Sequence, residues 1–277
     1  MNTCSRAVTD GAAVLAAIDG SDTSWQVLTW AAHEAMSRRT GLTILHVSGD
    51  PLMWEPVTIA PWAPGSLLLR EQALRLLTMA EEHVRTVTPG VLTQAVLRTG
   101  SPARVIRSEA KRASITVLGR GREHGRSVTS RVITRPSSPV TLVGSAEQEA
   151  NAAVNRVVAV LRPGLATSTV LAVLDVALTT ARRRGFGATV VADWSAVWQA
   201  GLAGAILRKG ACVAGDVDVR TQSLGTSASL PLPVELLSAS IVVLASPRRH
   251  RLGRAARVMV DPSLRSRGGP ITLVPDA

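Results

Sequence analysis

Two short segments hold residues whose types and spacing suit ligand chemistry. The first is Asp19-Gly20-Ser21, at the end of the apolar run Ala13 to Asp19. Its carboxylate can accept a hydrogen bond from a base or a sugar; an aspartate there also serves as a helix cap or turn-maker. The second is "GRGREHGRSVT", Gly119 to Thr129. Gly119 and Gly121 permit close backbone approach, and N–H groups near Ser127 and Val128, at a helix start, suit a phosphate. A lone Gly-x-Gly fits an ordinary turn equally well. In an open parallel sheet both segments fall beyond the carboxyl ends of strands, where ligands bind at the topological switch point. A third segment, "PRRHRLGRAAR" from Pro247 to Arg257, is a dense basic cluster whose side chains attract phosphate or carboxylate groups.

Other chemistries fail on spacing. Glu81 and Glu82 are sequential on a helix and point apart, as solvated surface residues do. His33, His83, His124 and His250 lie scattered, with no paired nucleophile and no ligand spacing. Cys4 and Cys212 cannot build a disulfide framework or a zinc site. No catalytic residue and no metal ligand set is expected. Trp25, Trp30 and Trp198 fall in helical stretches, where packing is the default, whereas Trp54 and Trp62 flank a long loop and could cover a pocket or a partner.

The elements that must position these residues alternate. "AVLAAID" is a short apolar run of the kind buried on both faces of a parallel sheet. "SDTS" supplies N-cap chemistry for a helix from about Trp25 to Arg39, with Val27, Leu28, Ala31, Ala32 and Ala35 on one face and Gly41 as its stop. Strands follow at Leu42 to Val47, Val91 to Leu97, Ser114 to Gly119 and Pro139 to Val143. The helices between them run from about Ser66 to Thr86, from Ser101-Pro102, and near Ser127 to Arg135. Leu68, Ala73, Leu76, Leu77 and Ala80 are expected to face inward on the first of these.

The order then repeats. "ASITVL" (Ala113 to Leu118) returns as "ASIVVL" (Ala239 to Leu244), an offset of 126. Upstream, an offset of 144 superposes Gly20 on Gly164, Thr23-Ser24 on Thr167-Ser168, and "RRTG" (Arg38 to Gly41) on "RRRG" (Arg182 to Gly185). In the second copy, strands are read at Val157 to Leu161, Ala188 to Asp193, Val217 to Leu224, Ile241 to Ala245 and Ile271 to Val274. Helices are read near Ser168 to Arg184, Ala196 to Lys209 and Val234 to Ser238. A repeat this long is a duplicated domain rather than a solenoid. The expected fold is α/β: two tandem domains, 1–145 and 155–277, joined by a polar linker, each a parallel five-stranded sheet flanked by helices. The closing strands "PVTLV" and "PITLV" are apolar enough to pair the two domains about a pseudo-twofold axis.

At 277 residues and 46% hydrophobic content, the chain has room for both domains. No apolar run reaches membrane-spanning length, and the apolar run that ends in Asp19 reads as a strand rather than a signal peptide, so a cytoplasmic protein is expected. The net charge of +11 is uneven: 16 basic and 13 acidic side chains in residues 1–150, 15 and 7 in residues 151–277. Only Lys111 and Lys209 are lysines, so 29 of the 31 basic residues are arginine; a GC-rich coding sequence explains such a bias, and an anionic partner explains it too. Aromatic content of 3% and the lack of a stacking platform argue against nucleic acid.

"VLAAIDGSDTSWQVLTWAAHEAMSRRTGLTILHV" resembles the opening of a universal stress protein domain, with its Asp-Gly-Ser turn, "LTWAAHEA" helix and His46-Val47 strand end. "SVTSRVITRPSSPVTLV" resembles that family's closing helix and strand, and "ASIVVLAS" and "GPITLV" extend the likeness into the second half. The resemblance implies a tandem, non-catalytic stress-response protein and a homodimer-forming family. ATP is the ligand it implies, held by a Gly-x2-Gly-x9-Gly-[Ser/Thr] loop. Carried over residue by residue, Asp19, Val47, Leu118, Gly119, Gly121, Ser127, Val128 and Thr129 match the nucleotide-contacting positions. The loop itself departs from the pattern. One residue separates Gly119 from Gly121, four separate Gly121 from Arg126, and Arg126 replaces the last glycine, all of which weaken a phosphate site. In the second copy Arg162-Pro163-Gly164 replaces the acidic turn, so no standard nucleotide site is expected there. The alternative readings are a protein-interaction module that has lost nucleotide binding and, ranked behind it, a nucleic-acid-associated protein that uses the basic second half.

Overall fold

The computed structural model describes residues 12–48, 64–120, 127–144, 154–162, 164–193, 204, 215–223, 239–246 and 269–275. The chain divides into two compact units, Met1–Gly119 and Arg120–Ala277.

In the first unit, β1 (Val14–Ile18), α1 (Thr23–Arg38), β2 (Leu42–Ser48), α2 (Pro64–Val87), β3 (Thr93–Thr99), α3 (Pro102–Ala110) and β4 (Ile115–Gly119) alternate as the apolar runs imply. The strand order is β3-β2-β1-β4, all parallel. Parallel neighbours need crossovers, and the helices supply them. Val14, Ala16, Ile44, Leu45 and Val117 are wholly buried in β1, β2 and β4, as expected of strands with both faces covered. On α1 the face Val27, Leu28, Ala31, Ala32 and Ala35 is buried.

Three details of these helices differ from the sequence expectation. Arg39, not Gly41, ends α1: it adopts the left-handed conformation at φ 55°, and Thr40 N–H donates to Ala35 O at 3.0 Å. Asp22 holds the N-cap position, but no side chain caps α1. On α2, Ala73, Leu77 and Ala80 are buried and Leu76 half-buried, whereas Leu68 is 56% exposed. Leu68 lies in the early stretch of α2 that also carries the exposed Leu67, Leu69 and Leu74.

The second unit holds α4 (Val128–Ile133), β5 (Val140–Val143), β6 (Val154–Leu161), α5 (Thr167–Arg184), β7 (Gly187–Ala192), β8 (Val219–Ser223), β9 (Ala239–Ala245) and β10 (Ile271–Val274). Its strand order is β5-β10-β9-β6-β7-β8. The pairings of β6 to β10 are parallel, as the alternation requires. β5 and β10 run antiparallel; with the division at Gly119, the described strands fall four and six to a unit. The expected helices near Ala196 to Lys209 and Val234 to Ser238, and the cluster Arg248 to Arg257, lie outside the described residues apart from Gly204.

Geometry also revises the alignment of the two copies. Seven of the eight buried positions of α1 (Ser24, Val27, Leu28, Ala31, Ala32, Glu34, Ala35) have buried counterparts 146 residues on in α5 (Val170, Val173, Leu174, Ala177, Leu178, Thr180, Ala181). The left-handed caps Arg39 and Gly185 are 146 apart as well. Across the strands, Val14 lies opposite Leu42 and Val157 opposite Ala188, so β1 and β6 differ by only 143 while the second pair keeps 146. Three residues are therefore inserted between β6 and the matching register of α5. The letter matches of Thr23-Ser24 with Thr167-Ser168, and of "RRTG" with "RRRG", do not coincide structurally. Ser24 corresponds to Val170.

Candidate functional site

The first unit brings Asp19, Val47, Leu118 and Gly119 to one end of its sheet, the carboxyl ends of β1, β2 and β4. β1 connects to β2 on one side and is flanked by β4 on the other. The strand order reverses there, which makes it the switch point where open parallel sheets bind ligands.

Asp19 follows the last residue of β1 and is exposed. Its Oδ1 accepts three hydrogen bonds: Ser21 N–H at 3.0 Å, Ser21 Oγ–H at 2.6 Å and Ser24 Oγ–H at 3.1 Å. Among the described residues, Oδ2 has no hydrogen-bond partner. Ser24 Oγ also accepts from the Asp19 and Gly20 N–H groups, at 3.3 and 3.1 Å. Gly20 makes the turn at φ 84°, a conformation that side chains resist. Partial burial pushes the Asp19 carboxyl up, but the bonds from Ser21 and Ser24 outweigh it and hold the group below its ordinary value of 3.8. Asp19 is thus the maker of its own turn rather than a helix cap, and it is ionised at neutral pH.

Neighbouring strand ends shape the rest. His46 Nδ1–H donates to the Ile18 carbonyl at 2.9 Å, across the register that sets Ile18 opposite His46. Val47 is half-buried, and Leu118 is buried, so Leu118 offers a ligand its backbone alone. A Cβ on Gly119 would sit 3.3 Å from Thr23 Cγ2. A side chain there would require Thr23, in the first turn of α1, to give by a few tenths of an ångström.

Ser127, Val128 and Thr129 belong to the second unit, at the start of α4. Ser127 Oγ caps that helix by accepting Ser130 N–H at 3.2 Å, Thr129 is buried, and Val128 is exposed. Gly121 and Arg126 lie outside the described residues. Sequence reasoning missed Ser24, which it took for cap chemistry, and the role of His46. The signal for Ser24 was a hydroxyl five residues after an acid across a glycine turn.

In the second unit the residue after β6 is Arg162, and Gly164 keeps a positive φ of 78°. Among the described residues, no group of three or more His, Cys, Asp or Glu could hold a metal ion, and no helix is long and apolar enough to cross a membrane.

A parallel sheet flanked by helices, with an ionised acid at its switch point, defines an open α/β fold. Comparison with known proteins makes this specific: residues 12–144 match the model of the universal stress protein family. The match places a universal stress protein domain at residues 12–144 of the chain. Universal stress protein YxiE of Bacillus subtilis is 28% identical over 112 residues, which cover 38% of this chain and 74% of the relative. A universal stress protein from Archaeoglobus fulgidus has a similar fold across 96% of this chain and 97% of its own, with a TM-score of 0.71 at 14% identity. A functionally unknown protein from Pseudomonas aeruginosa covers 96% and 93%, with a TM-score of 0.61 at 13% identity.

Proposed function

We propose that this is a non-catalytic stress-response protein whose first copy holds an adenine nucleotide weakly at the carboxyl ends of β1, β2 and β4. The observation that carries this reading is Asp19: an ionised, exposed carboxylate at the switch point, with Oδ1 saturated and Oδ2 without a partner among the described residues. Such an atom suits a ligand N–H or O–H donor, as a base amine or a ribose hydroxyl provides. It repels phosphate, which has to be held elsewhere.

The Gly119 to Thr129 loop is poorly suited to that second task. It is shorter than the family pattern, and Arg126 replaces the glycine that would let phosphate approach backbone N–H groups. Losing two charge-assisted hydrogen bonds costs roughly 3–6 kcal/mol, which moves a micromolar site to about millimolar or weaker. In the second copy Arg162 stands where Asp19 does in the first, so nucleotide binding belongs to the first copy alone. Calorimetry with ATP on the wild type and on Arg126→Gly tests this account. Weak wild-type binding that tightens in the variant supports it; tight wild-type binding lost in the variant would mean that the Arg126 guanidinium is itself the phosphate ligand.

A further inference from the structure

We propose that Ser24 is the positioning residue of the first copy's site: its buried hydroxyl locks the Asp19 turn so that one carboxylate oxygen is spent inward and the other is presented to a ligand donor. The proposal rests on the nucleotide reading for the ligand's identity, but not for the geometry.

Three bonds converge on one hydroxyl. Ser24 Oγ–H donates to Asp19 Oδ1, and its lone pairs receive the N–H groups of Asp19 and Gly20. A hydroxyl has one donor and two acceptor sites, so Ser24 has none left for a ligand. It is 3% exposed, in the first turn of α1, and it is not that helix's cap. Its bonds instead tie the strand end to the helix across Gly20 at φ 84°. A carboxylate hinged on its own χ angles would sample both oxygens inward and outward. Fixing it beforehand lowers the ordering cost of binding.

The second copy supplies an independent observation. Where Asp19 becomes Arg162, the counterpart of Ser24 becomes Val170, equally buried at 3%, and three residues are added to the turn between them. The acid, the hydroxyl and the turn length have changed together. A serine needed only to pack or to start a helix would have no reason to depart with the acid.

The test uses the full chain, as wild type, Ser24→Ala and Ser24→Thr. Carbon-13 NMR follows the titration of the Asp19 carboxyl without ligand, and an NMR shift titration with AMP measures affinity. Asp22 and His46, the other titratable groups flanking the turn, are the same in all three proteins. In Ser24→Ala the Asp19 titration should move up, AMP affinity should fall about tenfold, and the far-ultraviolet spectrum should be unchanged; Ser24→Thr, which restores a hydroxyl, should recover both. If Asp19 titrates in folded Ser24→Ala as in the wild type, the positioning role is overturned. If the wild type binds no AMP while Asp19 still shifts, the positioning role stands and the nucleotide reading fails. A Ser24→Ala protein that does not fold leaves Ser24→Thr to decide: with AMP affinity and Asp19 titration like those of the wild type it supports the role, and with both altered in a folded protein it overturns it.

Discussion

Thr141 and Thr272 hold the same place in the two closing strands, and they meet each other: their hydroxyl oxygens are 2.9 Å apart in the buried β5–β10 pairing. The register extends the relationship, because Val140 lies opposite Leu273 and Leu142 opposite Ile271, each pair exchanging the equivalent positions of the other. This is the local form of an isologous contact, in which like meets like about a twofold axis.

Each hydroxyl is the other's partner, so removing one should leave the second buried and unsatisfied. Thr141→Val should destabilise the protein by about 1–3 kcal/mol. The double variant Thr141→Val with Thr272→Val should recover most of that loss, because an apolar pair has nothing left to satisfy. Urea unfolding of the two single variants and the double variant reads the coupling directly. Additive losses would mean that the two hydroxyls do not interact.

Arg39 shows what the first copy tolerates. It caps α1 at φ 55°, whereas Gly185 caps α5 at φ 65°. A side chain in the left-handed region costs roughly 1–2 kcal/mol, and glycine removes that strain at a smaller entropic cost in the unfolded chain. Arg39→Gly should therefore raise stability by up to about 1 kcal/mol, seen as a higher thermal midpoint. Gly185→Arg should lower it.

At the amino ends of β6 and β7, Arg156 binds Thr189 Oγ1 at 3.1 Å, Ala188 O at 3.0 Å and Asp218 Oδ2 at 2.9 Å. The guanidinium lies over Gly187, where a Cβ would come within 2.9 Å of Arg156 Cζ. The hydrogen bond from Arg156 is the largest influence on Asp218 and holds its carboxyl below 3.8. Asp19 is lowered as well. A carboxylate whose folded value lies below its unfolded value adds stability above the unfolded value, and that contribution fades as pH falls through the folded one. Stability should thus decline on acidification below about pH 5, and less steeply in Arg156→Met than in the wild type. Gly187→Ala should reduce stability in the wild-type background but not in Arg156→Met. Urea midpoints measured from about pH 6 to about pH 3 check both statements.

The strands were legible because short apolar runs between turn residues have few other uses. The α1 core face was legible from its helical spacing. Three things were not. Matching letters at Thr167-Ser168 hid the three added residues of the second turn, because identity of sequence does not report which face a helix presents. The antiparallel direction of β5 against β10 leaves no mark on two short apolar strands. Ser24 followed an aspartate and preceded a helix, which is also the signature of a cap; only the backbone path of the Gly20 turn brings its hydroxyl back to Asp19.

On the proposed function, Asp19 receives a ligand donor at the first copy's switch point. An NMR shift titration of ATP into the wild type and Asp19→Ala tests it most directly. Wild-type dissociation should lie near the millimolar range and be about tenfold weaker in Asp19→Ala, with shifts centred on residues at the ends of β1, β2 and β4. Equal affinity in the two proteins, or shifts confined to other parts of the chain, would contradict it.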